Sequence, residues 1–89
     1  MISTEMQIPN RLGLHARAAA KLVSLASTFE STVEVEKDGR RVNAKSIMGV
    51  MMLAAGQGAR LTLHVDGPDE HQATDQIIAL IQDYFGESE

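Results

Sequence analysis

The strictest constraint in this chain is a period of two. Arg60 to Asp66 sets Leu61, Leu63 and Val65 on one side and Arg60, Thr62 and His64 on the other. Thr32 to Lys37 does the same, with Val33 and Val35 against Thr32, Glu34 and Glu36. Successive side chains of a strand point to opposite faces, so each segment reads as a strand with one buried face and one wet face. Asp38-Gly39 follows where a two-residue type I′ hairpin turn would sit, and Arg40 to Ala44 is the returning strand. A shorter alternation of Met6 and Ile8 within Glu5 to Pro9 predicts one more strand, ended by Pro9 and Asn10.

Between these segments the period changes. Ala19, Leu22, Val23 and Ala26 recur at helical spacing within Ala16 to Thr28, where Ala16, Ala18 and Ala20 add helix propensity. Ser46 is placed to cap a short helix over Ile47 to Ala55, with Gly56 as its stop. Gly67-Pro68-Asp69-Glu70 predicts a third helix start, with Pro68 at the first helical position and two acids at the positive end of the dipole. Ala73, Ile77, Leu80, Ile81 and Tyr84 mark the buried face of that helix, and Gly86 can end it. The order is β-α-β-β-α-β-α. Half-wet strands and one-sided helices resolve as an α+β open-faced sandwich: a four-stranded antiparallel sheet with three helices on one face.

Eighty-nine residues are expected to form one domain spanning 1–89. Without cysteine there is neither a disulfide nor a thiolate metal site, which fits a reducing cytoplasm. Aromatic residues are limited to Phe29, Tyr84 and Phe85, too few for base-stacking platforms. The net charge of -4 conceals a division. Residues 1 to 60 hold eight Lys or Arg against five Asp or Glu, whereas residues 61 to 89 hold seven acids and neither Lys nor Arg. Nucleic acid is therefore not an expected partner, although the N-terminal two thirds can present a local cationic surface to an anion or an acidic protein. The longest apolar stretch, Ile47 to Gly56, is ten residues. A bilayer crossing needs roughly 20, so membrane insertion is not expected. The N-terminus lacks the basic start and apolar run of a signal peptide, which points to the cytosol.

Leu12-Gly13-Leu14-His15-Ala16-Arg17 lies where a loop enters the first helix, placing His15 at its N-cap or first turn. A helix N-terminus offers unpaired N–H donors and about half a positive charge, which favours a phosphate. Arg17 adds a charge-assisted contact to phosphate oxygens. Gly13 lets the loop turn sharply beside the imidazole. Imidazole has a reference pKa near 6.5, is mostly neutral at cytosolic pH, and is nucleophilic in that form. His15 is thus a candidate to attack a phosphoryl group, hold it on nitrogen and relay it without base or metal. A histidine at a helix start is by itself an ordinary cap, and the surrounding string is what singles this one out.

Gly13-Leu14-His15-Ala16-Arg17, followed by Ala19-Ala20, resembles the active-centre motif of the HPr family, the histidine-containing phosphocarriers of the bacterial phosphoenolpyruvate-dependent sugar phosphotransferase system. Lys45-Ser46-Ile47-Met48-Gly49-Val50-Met51 resembles the regulatory serine motif of the same family, at the matching separation, and the similarity spans essentially the whole chain. The resemblance implies that His15 accepts phosphate on Nδ1 from Enzyme I, itself charged by phosphoenolpyruvate, and passes it to an Enzyme IIA domain. Arg17 matches the arginine that supports the histidine. No cofactor is expected, and the implied role is a carrier and not an enzyme. Where the family commonly has Pro after the arginine, this chain has Ala18, which gives it a resemblance to proteobacterial members, including the nitrogen-related branch. Sugar and nitrogen-related chains both remain open, as does a purely regulatory module controlled through Ser46.

Ser46 has an ordinary explanation as an N-cap. The family reading adds an HPr kinase/phosphorylase as a further partner, whose phosphate would place nearly two negative charges in the surface that partners touch. Met48, Met51 and Met52, with Ile47, Val50 and Leu53, are too many apolar groups for one short helix to bury. Met48 and Met51 are accordingly expected to form a soft docking patch, rimmed by Arg17, Lys21, Lys45 and, as a further candidate, Arg11. A monomer is expected. His64 and His71 read as surface residues with no metal spacing to His15.

Overall fold

The computed structural model describes residues 1–87. Its elements are β1 (Ile2–Gln7), α1 (Ala16–Ala26), β2 (Thr32–Lys37), β3 (Arg40–Asn43), α2 (Ile47–Met52), β4 (Arg60–Asp66) and α3 (Glu70–Gln82), followed by a short 3-10 turn at Tyr84–Gly86. The strands form one antiparallel sheet in the order β1-β4-β2-β3. β4 is central, with Val65 between Ile2 and Val33, and Leu63 between Thr4 and Val35. That register gathers Val33, Val35, Leu61, Leu63 and Val65 into the core. Ala18, Ala19, Leu22 and Ala26 of α1 and Ala73, Ile77 and Ile81 of α3 complete it. Among the described residues, no helix is long and apolar enough to cross a membrane.

The boundaries that differ from the sequence reading have identifiable causes. β1 runs from Ile2 to Gln7 and not from Glu5 to Pro9, because all six residues find partners on β4. Ile2, Thr4 and Met6 face inward and half-buried, and Thr4 breaks the apolar pattern that would have announced this. α1 closes at Ala26, two residues early, and the Thr28 hydroxyl donates to the Leu25 carbonyl at 2.7 Å beyond it. α2 stops at Met52 and not at Ala55, because the chain turns through Ala54 at φ 50°. The freed Ala55 carbonyl accepts the Leu14 N–H at 2.8 Å.

Pro68 lies in a turn, and α3 begins at Glu70. The Asp69 carboxylate faces away from its own helix, accepting from the Glu30 N–H at 2.9 Å, the Ser31 N–H at 3.0 Å and the Ser31 hydroxyl. These bonds hold its pKa below the ordinary carboxylate value, the Ser31 hydroxyl contributing most. Tyr84, expected on the buried face, is exposed, and Phe85 is buried in its place. The Asp38-Gly39 turn has φ of 52° and 81°, the two left-handed residues a type I′ hairpin requires.

Candidate functional site

α1 begins at an N-cap whose side chain is an imidazole. His15 has extended backbone (φ -72°, ψ 178°), and its Nδ1 accepts the Arg17 N–H at 3.3 Å. The loop before it is pinned at two points. Leu14 bonds to Ala55 after α2, and Gly13 takes φ 66° with its Cα packed against the Ala55–Gly56 backbone. A Cβ at Gly13 would lie 2.7 Å from the Gly56 Cα and closer still to the Ala55 oxygen. The glycine is thus required by the close approach of α2's exit, in addition to the sharp turn read from sequence.

On the other side of the ring, His15 Nε2 lies 2.8 Å from a carboxylate oxygen of Glu87. The second oxygen of that carboxylate accepts from Asn10 Nδ2 at 2.8 Å, and the same amide donates to the Gly13 carbonyl at 2.9 Å. Asn10 is completely buried. Among the described residues its Oδ1 has no hydrogen-bond partner, while its nitrogen donates twice. The ring's partners assign its tautomer. A carboxylate only accepts, so Nε2 carries the hydrogen, while Nδ1 faces a donor and keeps its lone pair. His15 remains 27% accessible and Glu87 16%, so the ring is reachable while its carboxylate partner is largely covered. Glu87 and Asn10 escaped the sequence reading, which surrounded His15 with positive charge alone. No spacing rule connects Glu87 with His15, 72 residues away.

Arg17 and Lys21 are one helical turn apart on α1, hence on one face. An open groove of about 580 Å³ beside them is lined by Ser24, Leu25 and Leu80. The Lys21 ammonium donates to the Phe85 carbonyl at 2.6 Å and that of Lys45 to the Phe29 carbonyl at 2.7 Å. Both side chains are anchored by these bonds. Ser46 caps α2 by accepting the Gly49 N–H at 3.3 Å. Lys45 touches the segment after α1, whereas Ala55 touches the loop before it, so α2 runs back along α1. Ser46 therefore lies toward the far end of α1 from His15, a helix of eleven residues and roughly 16 Å. Between these ends Met48 and Met51 are 70% and 43% exposed, while Val50 is buried. His64 is on the wet face of β4 as expected, tied to Ser3 and Glu36 at 2.8 Å each.

Comparison with known proteins decides the family. A family profile described as "PTS HPr component phosphorylation site" matches residues 2–83. The chain belongs to the HPr family. Its HPr relatives include the phosphocarrier protein HPr of Cupriavidus necator, 57% identical over 89 residues and the whole of both chains. That of Neisseria meningitidis is 51% identical, also over the whole of both. Among solved structures, HPr-C-His from Thermoanaerobacter tengcongensis superposes with a TM-score of 0.96 at 46% identity, covering all of both chains. The HPr fold and the β-α-β-β-α-β-α order are thus shared along the full chain.

Proposed function

We propose that this phosphotransferase-system carrier takes its phosphoryl group on His15 Nδ1 from Enzyme I and delivers it to Enzyme IIA domains. The supporting observation is the pairing at His15: a lone pair on Nδ1 at a helix N-cap, and a hydrogen on Nε2 held by a carboxylate. In the forward step the Nδ1 pair attacks phosphorus, and the bond to the donor atom breaks with its pair staying on the donor. The Arg17 N–H contact at 3.3 Å is long for a hydrogen bond and is given up cheaply. That N–H then turns to a phosphate oxygen at the positive end of α1. The Arg17 side chain supplies further charge-assisted donors. In the return step the P–N bond breaks and its pair goes back to Nδ1, so the carrier regenerates without metal or base.

Ser46 acts in this reading through the docking face. Its place near the far end of α1 keeps it away from the reacting nitrogen, so a phosphate there opposes acidic partners beside Met48 and Met51. Incubation with Enzyme I and labelled phosphoenolpyruvate tests the carrier role. The label should be acid-labile, base-stable and absent from His15→Ala. Equal labelling of that variant would sink the proposal.

A further inference from the structure

The chain leaves α3 through an unusual turn. Tyr84, Phe85 and Gly86 have φ of 58°, 55° and 77°, three left-handed residues in succession, two of which carry side chains. Left-handed backbone at non-glycine residues is strained and persists only where its surroundings impose it. Here they do so at two points. The Phe85 ring is fully buried, and the Phe85 carbonyl accepts the Lys21 ammonium at 2.6 Å. The turn reverses the chain at the end of α3, after which Glu87 is extended (φ -87°, ψ 160°) and its carboxylate reaches His15 and Asn10. Continuing α3 as a helix would forgo this reversal.

We propose that Glu87 is a positioning residue for phosphoryl transfer, loaded onto His15 Nε2 by a latch formed from the left-handed turn, Lys21 and Asn10. The proposal rests on the carrier reading of His15 and adds what sets the ring's tautomer. Both groups facing the carboxylate are donors, the Asn10 amide on one oxygen and the Nε2–H on the other, so an amide in the same place would turn its NH2 toward one of them. With Nε2 protonated and held, the free pair is confined to Nδ1, on the side of the helix N-terminus. During transfer the Nε2 proton stays in place. The Nδ1–P bond forms as the donor's bond to phosphorus breaks, and the positive charge that develops on the ring lies against the Glu87 carboxylate. When the P–N bond breaks toward the acceptor, the pair returns to Nδ1 and the ring is again neutral. The carboxylate thus stabilises a charge that exists only after attack has begun, which makes its effect one on rate more than on docking.

The experiment records 15N shifts of the His15 imidazole and steady-state transfer from Enzyme I to an Enzyme IIA domain, for the wild type, Glu87→Gln and Gly86→Ala. Gly86→Ala keeps Glu87 but puts a side chain at φ 77°, with its Cβ 3.0 Å from the Lys21 Nζ. The wild type should show a dominant Nε2–H tautomer. In both variants the two nitrogen shifts should converge, and kcat should fall about tenfold with KM within twofold, while circular dichroism and melting show a retained fold. A wild-type tautomer ratio or an unchanged kcat in folded Glu87→Gln overturns the positioning role. A change confined to KM overturns it as well, in favour of docking. Wild-type shifts in Gly86→Ala overturn the latch. Should the wild type accept no phosphate, the carrier reading fails on that result, and the imidazole shifts still decide what holds the ring.

Discussion

Gly13→Ala tests whether the approach of α2's exit to the His15 loop is as tight as the geometry requires. Two costs act together. An alanine at φ 66° bears the left-handed penalty of about 1–2 kcal/mol. Its Cβ would also meet backbone, 2.7 Å from the Gly56 Cα and nearer still to the Ala55 oxygen, and backbone cannot swing aside as a side chain end can. Relief requires the loop to move off Ala55, which sacrifices the Leu14 N–H bond to that carbonyl, worth about 0.5–1.5 kcal/mol. Alanine also stiffens the unfolded chain, returning about 0.4–1 kcal/mol. The net loss is then about 1–3 kcal/mol from a total of about 5–15, or roughly 5–20 °C in Tm. Gly39→Ala supplies the control, since Gly39 has φ 81° but nothing within 4 Å of an added Cβ, so it carries the backbone penalty alone, about 1 kcal/mol. Urea unfolding followed by circular dichroism measures both, with the m-value expected to stay constant. Equal losses in the two variants would refute the close approach at Gly13.

Other consequences are as direct. Arg17→Ala should slow transfer from Enzyme I about tenfold or more while leaving the urea midpoint in place, because its side chain is exposed and its N–H remains; unchanged rates would remove its role. Ser46→Ala should cost about 1 kcal/mol through loss of the N-cap. Ser46→Asp should restore that stability and raise the KM for Enzyme I, and an unaffected KM would leave Ser46 as a cap alone. Asp69 and Glu70 both titrate below the ordinary carboxylate value in the folded chain, Asp69 chiefly through the Ser31 hydroxyl and Glu70 chiefly through the Gly67 N–H. Their contribution is therefore complete above about pH 4 and is lost as pH falls through the depressed folded values. The urea midpoint should drop across that range in the wild type and drop less in Asp69→Ala, whereas parallel curves would show that Asp69 is not a source of the acid sensitivity.

How much of this was legible beforehand depended on which residues carried a period. Leu61, Leu63, Val65, Val33 and Val35 alternate without interruption, and β2 and β4 begin and end where that alternation does. In β1 the inward Thr4 hides the pattern, and only pairing with β4 shows the strand's true extent. At the end of α3, helical spacing from Ile81 admits either Tyr84 or Phe85 as the next buried residue, and the left-handed turn selects Phe85. The site divided in the same way. Gly13, His15, Arg17 and Ser46 sit in local strings, where a cap and a loop can be read from neighbours. Glu87 could not be read, because its partnership with His15 exists only through a turn that no propensity predicts. Residues 61 to 89 stood out by their acidic charge alone, yet they supply the carboxylate on the imidazole. Ser88 and Glu89 lie outside the described residues.

The most direct test of the account is the position of the phosphoryl group itself. The chain, labelled with 15N at histidine and charged by Enzyme I and phosphoenolpyruvate, should show phosphorus coupled to His15 Nδ1 and a retained hydrogen on Nε2. Phosphorus bonded to Nε2, or carried by His64 or His71, would contradict it.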